Sequence, residues 1–374
     1  MSTAGRPETD APTASDVAAR LRDTEFVRLV AAADGDALAA LGLIADALDS
    51  AATPYQATVA ALPDDAARTT EADLTVALGR PVATADLTVG LGESASRVAY
   101  DVAGQFDAAD PMLALAGIAA NGSVPNGRPL EDAEATGLGR RPGIAVPTTD
   151  IVDGLAHSTL VHGPFSGDAD AAKALVADVS PGADPDEATH RQVASLVALA
   201  VAGDEKATAR GADAVGRILR PYVGTPFETV GGYADVIDAV ARTEPGLGVA
   251  LAVGSVDRDA VLSAWRDHGA RAHRAVADAQ TGRYDGLFVA RCDGDVPVGT
   301  VARLVRDFHS PEPVVLVVAD GEAAAVATDE TDIGATISEA AAAVDGDGAG
   351  THSRGRARFD GDDAAFVLAF REAQ

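Results

Sequence analysis

The chain has one cysteine, one tryptophan, two lysines (Lys173 and Lys206) and few aromatics, at 4% of 374 residues. The single Cys292 excludes an internal disulfide and a cysteine-based zinc site, and a reducing cytoplasm is the compartment this usage predicts. With so few aromatics, the cores have to be built from Ala, Val and Leu. The longest apolar run, "VASLVALAVAG", is far short of the roughly 20 residues that span a bilayer, so no membrane partner is expected. The opening "MSTAGRPETDAPTASDVAAR" has neither a basic patch nor an apolar stretch, so no signal peptide is expected there.

Acid is abundant. There are 57 Asp and Glu residues against 29 Lys and Arg, for a net charge of −28. The acidic residues are spread through the whole chain. This pattern fits a halophilic protein, because at about 1 M salt the screening length falls to roughly 3 Å and self-repulsion is tolerable. The charge does not exclude nucleic acid as a partner. Phosphate contacts weaken steeply with salt, so a binder in brine relies on local arginine clusters and stacking rather than on a broad basic face.

The length suggests about two domains. Residues 1–15 are polar and are expected to form a disordered tail. From 16 to about 120, strand-like runs ("EFVRLVAAA", "YQATVAAL", "ADLTVALG", "DLTVGLG") alternate with helix-like ones (37–48, "SASRVAYDVAGQF", "PMLALAGIAANG"). That rhythm predicts an α/β fold, with a mostly parallel sheet and helices on its faces. A Gly/Pro-rich segment, 121–147, interrupts it. Residues 150–220 read as a helical extension, and a domain boundary is placed near 220–245. "GLGVALAVGS" reads as a strand. A second, smaller α/β domain is expected over 245–374, with helices at "DAVLSAWRDHGARAHRAVADA" and "GTVARLVRDF" and strands at "GLFVARCDG", "PVVLVVADG" and "EAAAVATDE".

"LVAAADGDALAALGLIADAL" (29–48) places Asp34 and Asp36 where a strand hands over to a helix. Ligands collect at that edge of open parallel sheets, and two carboxylates there could share Mn(II) or Mg(II). Asp-Gly-Asp is equally a good turn, and Asp a favoured helix cap. His157 and His162 are five apart. On a helix they would diverge by about 140°, so they make no i, i+4 metal pair. His268 and His273 have the same spacing in a segment that also carries Arg266, Arg271 and Arg274, either a phosphate-contacting face or a solvated one. "GAGTHSRGRARF" concentrates Arg354, Arg356 and Arg358 beside Gly350 and His352, a combination of Gly-rich backbone and guanidinium forks suited to phosphate. The Gly-x-Gly fragments in "VGLGES" and "GLGVALAVG" complete neither a dinucleotide fingerprint nor a P-loop.

"ADGDALAALGLIADAL" resembles the first motif of the DHH phosphoesterase family, which includes RecJ-type single-strand exonucleases and oligonucleotide phosphodiesterases. Segments 148–168 and 225–254 are similar to the middle of archaeal RecJ-like proteins. Residues 314–370 resemble the C-terminal DHH-associated domain, whose Gly-Gly-His signature is blurred here around His352. The likeness covers about 25–371. It implies a DHH-like domain over 16–220, a DHH-associated nucleic-acid-binding domain over 245–374, and a cleft between them.

The family's two-metal phosphodiesterase centre uses Asp and His ligands to hold Mn(II) or Mg(II) and activate water. Most of those ligands are missing. Val30 stands where the first motif has His, Leu78 and Gly79 end the second strand, no His follows "DLTVGLG", and Ala119, Ala120 and Asn121 replace the fourth Asp. Asp34 and Asp36 remain, with Asp86 as a distant supplement, while Asp73 begins its strand rather than ending it. The resemblance therefore implies a degenerate RecJ-like protein of DNA replication or repair. It would bind single-stranded DNA or RNA through Gly350, His352, Arg354, Arg356 and Arg358, with the GINS complex and the replicative helicase as implied partners. The alternatives are an active metal-dependent 5′–3′ exonuclease or oligonucleotide phosphodiesterase, and a pure protein scaffold.

Overall fold

The computed structural model describes residues 12–63, 71–179, 185–329 and 331–374. Val27–Ala32 (β1) is buried along its whole length and apolar except for Arg28, as a strand covered on both faces must be. It is central. Tyr55–Ala60 (β2) and Leu74–Leu78 (β3) pair with it in parallel on either side, and Leu87–Val89 (β4) pairs with β3, giving the order β2-β1-β3-β4.

The helices of this unit are α1 (Ala14–Arg22), α2 (Gly35–Ser50), α3 (Ala95–Ala103) and α4 (Pro111–Ala120). Residues 1–11 of the expected tail lie outside the described residues. Thr13 and Asp16 form a capping box that starts α1 inside the remainder of it. Helix α2 is buried almost from end to end. Its packing needs small residues, since a Cβ on Gly42 would stand 2.4 Å from the Ala252 carbonyl oxygen.

Ala252 belongs to α11 (Pro245–Ala252), the segment "GLGVALAVGS" for which a strand was expected. A short apolar run carries no periodicity that separates strand from helix. Here Pro245 in the first turn and packing onto α2 decide for helix. The Gly/Pro-rich segment contains a further short helix, α5 (Arg128–Ala135).

The first core does not end near 220–245. Helix α10 (Val230–Thr243), α11 and the first half of α12 (Arg258–Asp278) return to it, contributing Val236, Ile237, Val240, Val261 and Trp265. The second half of α12 (Ala272, Ala275, Val276) lies in another core, together with α6 (Ile151–His157), α7 (Ala169–Leu175), α8 (Glu187–Ala202) and α9 (Ala209–Ile218). One 21-residue helix thus joins the two cores. Two-residue strands β5 (Gly139–Arg140) and β6 (Tyr222–Val223) pair alongside.

The C-terminal sheet contains β7 (Gln280–Tyr284), β8 (Leu287–Arg291), β9 (Val314–Ala319), β10 (Glu322–Ala327), β11 (Asp347–Gly350) and β12 (Arg354–Arg358). Their order is β11-β12-β10-β9-β8-β7, antiparallel except for β8 with β9. Helix α13 (Val298–Phe308) covers one face, and α14 (Ile333–Ala342) and α15 (Asp363–Ala373) cover the other. Among the described residues no helix is long and apolar enough to cross a membrane.

Segment 158–162 pins these bodies together. Thr159 donates from its amide and its hydroxyl to the buried Asp235 of α10, and its oxygens accept from Arg303 of α13. His273 Nε2 lies 3.0 Å from the Ser158 carbonyl. A carbonyl only accepts, so Nε2 carries the hydrogen and Nδ1 is the acceptor. His162 Nδ1, 3.0 Å from that atom, is then the donor, and the pair is neutral. The ring of His309 stands edge-on to His162.

Burial holds His162 down to about 2, helped by His273 and His309, and holds His273 down to about 4. Both values lie below that of an unfolded histidine, so the unfolded chain gains protons first as pH falls through about 6.5. Stability is therefore expected to be full above that pH and to be lost below it. The melting temperature should fall between pH 7.5 and pH 5 at constant KCl, and His162→Phe should flatten that dependence.

Candidate functional site

The carboxyl edge of the parallel sheet is the natural place for a ligand. Asp34 is there, but as the cap of α2, accepting from the Ala37 amide at 2.9 Å. Asp36 points the other way, into the start of α3. It accepts from the Ala95 and Ser96 amides at 2.8 and 3.0 Å and from the Ser94 and Ser96 hydroxyls at 2.7 and 2.5 Å. It is 6% exposed. Burial pushes its carboxyl up, with Asp34 adding, and the bonds from Ser96 and Ser94 oppose this. Asp86 and Asp73 lie at the opposite, amino end of the strands, next to Thr75 and Phe26.

These residues do not fit a two-metal centre. Four to six ligands are needed to fix two ions. Asp34 and Asp36 diverge, and no group of three or more His, Cys, Asp or Glu among the described residues could hold a metal ion.

Guanidinium groups occupy the edge instead. Arg80 follows β3 after Gly79 and donates to the Ala60 and Ala61 carbonyls at the end of β2, so it lies across the edge. It stands immediately after Leu78 and Gly79, where the resemblance implied a carboxylate. Gly79 takes φ +77°, and a Cβ there would meet the Ala37 methyl at 2.8 Å, so the turn that delivers Arg80 requires glycine. Beside it, Arg242 of α10 makes a bidentate pair with Asp238, both bonds at 2.9 Å. Asp238 also accepts from the Gly35 amide at 2.9 Å, the residue between Asp34 and Asp36. Burial alone would push the Asp238 carboxyl up, but Arg242 holds it well below the usual range.

This edge floors a cleft of about 550 Å³ between the parallel sheet and the C-terminal sheet. Its lining includes Arg80, Arg140, Arg217, Arg220, Arg242, Arg303, Arg306, Arg354 and Arg356, against the acids Asp34, Asp235, Asp238 and Asp307. Asp238 is taken up by Arg242, Asp307 by Arg217 at 3.2 Å and Arg306 at 2.8 Å, and Asp235 by Thr159 and Trp265. In a chain of net charge −28, the cleft is locally cationic. Desolvation lowers the proton affinity of the buried Arg303, and nearby aspartates offset this.

Of the residues singled out in "GAGTHSRGRARF", Gly350, Arg354 and Arg356 line the cleft, whereas His352 and Arg358 do not. His352 is exposed, 3.8 Å from Asp332, and Arg358 reaches Glu322 at 4.0 Å. Arg354 donates to Asn121 Oδ1 at 2.6 Å and to its carbonyl at 3.3 Å, joining the two sheets' units within the cleft lining. Asn121 is one of the residues at the implied fourth Asp position. Arg356 pairs with Glu322 at 2.8 Å.

The other candidates are structural. His157 bonds Asp153, Arg266 clasps the same carboxylate, Arg271 pairs with Asp295, and His268 is buried against Thr300. Helix α12 thus spends two of its arginines on ion pairs outside the cleft. Sequence reading missed Arg80, Arg140, Arg217, Arg220, Arg242, Arg303 and Arg306. Only Arg217 with Arg220 and Arg303 with Arg306 carried a signal, a three-residue spacing that sets each pair on one helical face or at one helix end.

Residues 279–372 match the family model described as "Uncharacterized protein rrnAC1427, C-terminal domain". The protein rrnAC1427 of Haloarcula marismortui is 56% identical over 377 residues, covering all of both chains. Among solved structures, CDC45 from Entamoeba histolytica superposes with a TM-score of 0.59 at 9% identity, over 96% of this chain and 98% of that one. An exonuclease RecJ bound to manganese gives 0.47 at 13% identity, over 99% and 95%. This chain therefore belongs to the rrnAC1427 family, on an α/β fold that it shares with CDC45.

Proposed function

We propose that the protein is a RecJ-like, non-catalytic component of the replication or repair apparatus that binds single-stranded DNA or RNA in the arginine cleft, without a metal. The observation that carries this reading is the charge reversal at the sheet's carboxyl edge. Guanidinium groups lie where a phosphodiesterase needs carboxylates, in a cleft that concentrates arginine within an acidic chain. A guanidinium fork binds phosphate bidentately and keeps its charge at any pH the protein meets. The fold shared with CDC45 supports a place in a replication assembly, with the GINS complex and the replicative helicase as the implied partners. Molar salt is the medium for which the surface charge suits the protein.

The test is fluorescence anisotropy of a labelled single-stranded oligonucleotide in a KCl series. Arg354→Ala with Arg356→Ala is expected to weaken binding by about 100-fold, since charge-assisted bonds contribute about 1.5–3 kcal/mol each. The same pair should flatten the logarithmic salt slope by about 0.7 per lost phosphate contact. Arg358→Ala, outside the cleft, should leave both unchanged. A wild type that binds no strand at any salt would favour the scaffold reading instead.

A further inference from the structure

Helix α8 is apolar on every side over its second half. Residues 193–202 carry no charge and a single polar side chain, Ser195, in a chain of net charge −28. The Ser195 hydroxyl is turned back on the helix, donating to the Arg191 carbonyl at 3.0 Å. A helix apolar all round is normally covered all round. Here only one stripe is covered. Val193, Val197 and Val201, a turn apart, lie in the second core. On the opposite side Ser195, Leu199 and Ala202 face outward at i, i+4 and i+7, flanked by the partly buried Leu196 and Ala198. Leu199 is 70% exposed, more than any other large hydrophobic among the described residues. The helix takes no part in lining the arginine cleft.

The charges at the two ends of this stripe say what covers it. Before it stand Glu187 and Arg191, a loose pair 3.7 Å apart with both side chains more than half exposed. After it stand Glu205 and Lys206, both exposed. When a second copy is laid antiparallel over the stripe, with Ser195 opposite Leu199 of the copy, Arg191 falls beside Glu205 of the copy and Glu187 beside its Lys206. A two-fold axis makes each of these contacts twice. A parallel copy would set Arg191 against Arg191 and Glu187 against Glu187.

We propose that α8 is the interface of an antiparallel, two-fold dimer of this chain, closed by Leu196 and Leu199 and set in register by Arg191 with Glu205 and by Glu187 with Lys206. This does not rest on the proposed function. One helix face per copy falls short of the ~1,600 Å² of a standard interface, so the dimer is expected to form with concentration rather than to be permanent. Two copies of charge −28 repel each other in dilute salt, so association should strengthen as KCl rises.

The test is sedimentation equilibrium of the full chain, over a concentration series and a KCl series. The wild type is expected to pass from monomer to dimer. Leu199→Asp should stay monomeric at every concentration, with an unchanged melting temperature because that side chain is already exposed. Leu368→Asp, at an exposed leucine of α15, should dimerise as the wild type does. At the lowest KCl, Arg191→Glu should weaken the dimer by about threefold, as the loss of an exposed pair does, and Glu205→Arg added to it should restore the affinity. A wild type that is monomeric throughout would overturn the proposal. So would a dimer that Leu199→Asp leaves intact, an assembly larger than a dimer, or charge reversals that do not compensate each other.

Discussion

Asp238→Ala is expected to lower the unfolding free energy by about 3–5 kcal/mol, because it leaves the Arg242 guanidinium buried with no counter-charge. The pair is bidentate, with side-chain exposures of 19% and 10%. The substitution also strips the Gly35 amide of its acceptor, at the first residue of α2. Arg242→Met with Asp238→Ala should cost less than the sum of the two single changes, since the double variant buries no unpaired charge. Urea unfolding at fixed KCl reads all three. The carboxyl of Asp238 lies below its unfolded value, so its contribution is present above the ordinary carboxylate range. It is lost as pH falls through the folded value. A single-variant loss under about 1 kcal/mol would show that the pair is solvated and belongs to the ligand site rather than to the fold.

The second large effect falls on Asp36. Asp36→Asn is nearly isosteric, yet it is expected to cost about 3 kcal/mol, because an amide cannot replace a carboxylate that only accepts. The four donors around it come from two serine hydroxyls and the Ala95 and Ser96 amides. An asparagine NH2 would confront at least one of those fixed amides. Ser96→Ala should cost less, since Ser94 and both amides remain. Amide exchange gives the local readout. Helix α3 should lose protection in Asp36→Asn, and Asp34→Ala should fray only the first turn of α2. An Asp36→Asn protein as stable as wild type would mean that the carboxylate is held for chemistry.

These two aspartates show what was legible in the sequence and what was not. The strand, turn and helix around Asp34 and Asp36 followed from burial, Asp-Gly-Asp turn chemistry and apolar spacing, and the structure has all three. The direction in which Asp36 points was not legible, because its partners Ser94 and Ser96 lie about sixty residues away. The same limit applies to the domain boundary. The periodicity of α10 and α12 marks them as helices but not as members of the first core. Local pattern also misread α11, a short apolar run for which packing on α2 decided the conformation. In the cleft, Arg354 and Arg356 stood out with Arg358 as an arginine cluster beside a Gly-rich loop, but nothing in the sequence separates Arg358, which lies outside the cleft. Arg80, Arg242 and Arg303 come from three distant segments, and only the tertiary structure brings them together.

The central claim is that guanidinium groups have replaced a metal centre, so strand binding should need no divalent ion. The most direct measurement incubates a labelled single strand with the protein in molar KCl, once with Mn(II) and once with EDTA, and reads both binding and strand length. The account predicts the same affinity in both and an uncut strand. Shortening that requires Mn(II), and that Asp34→Ala abolishes, would contradict it.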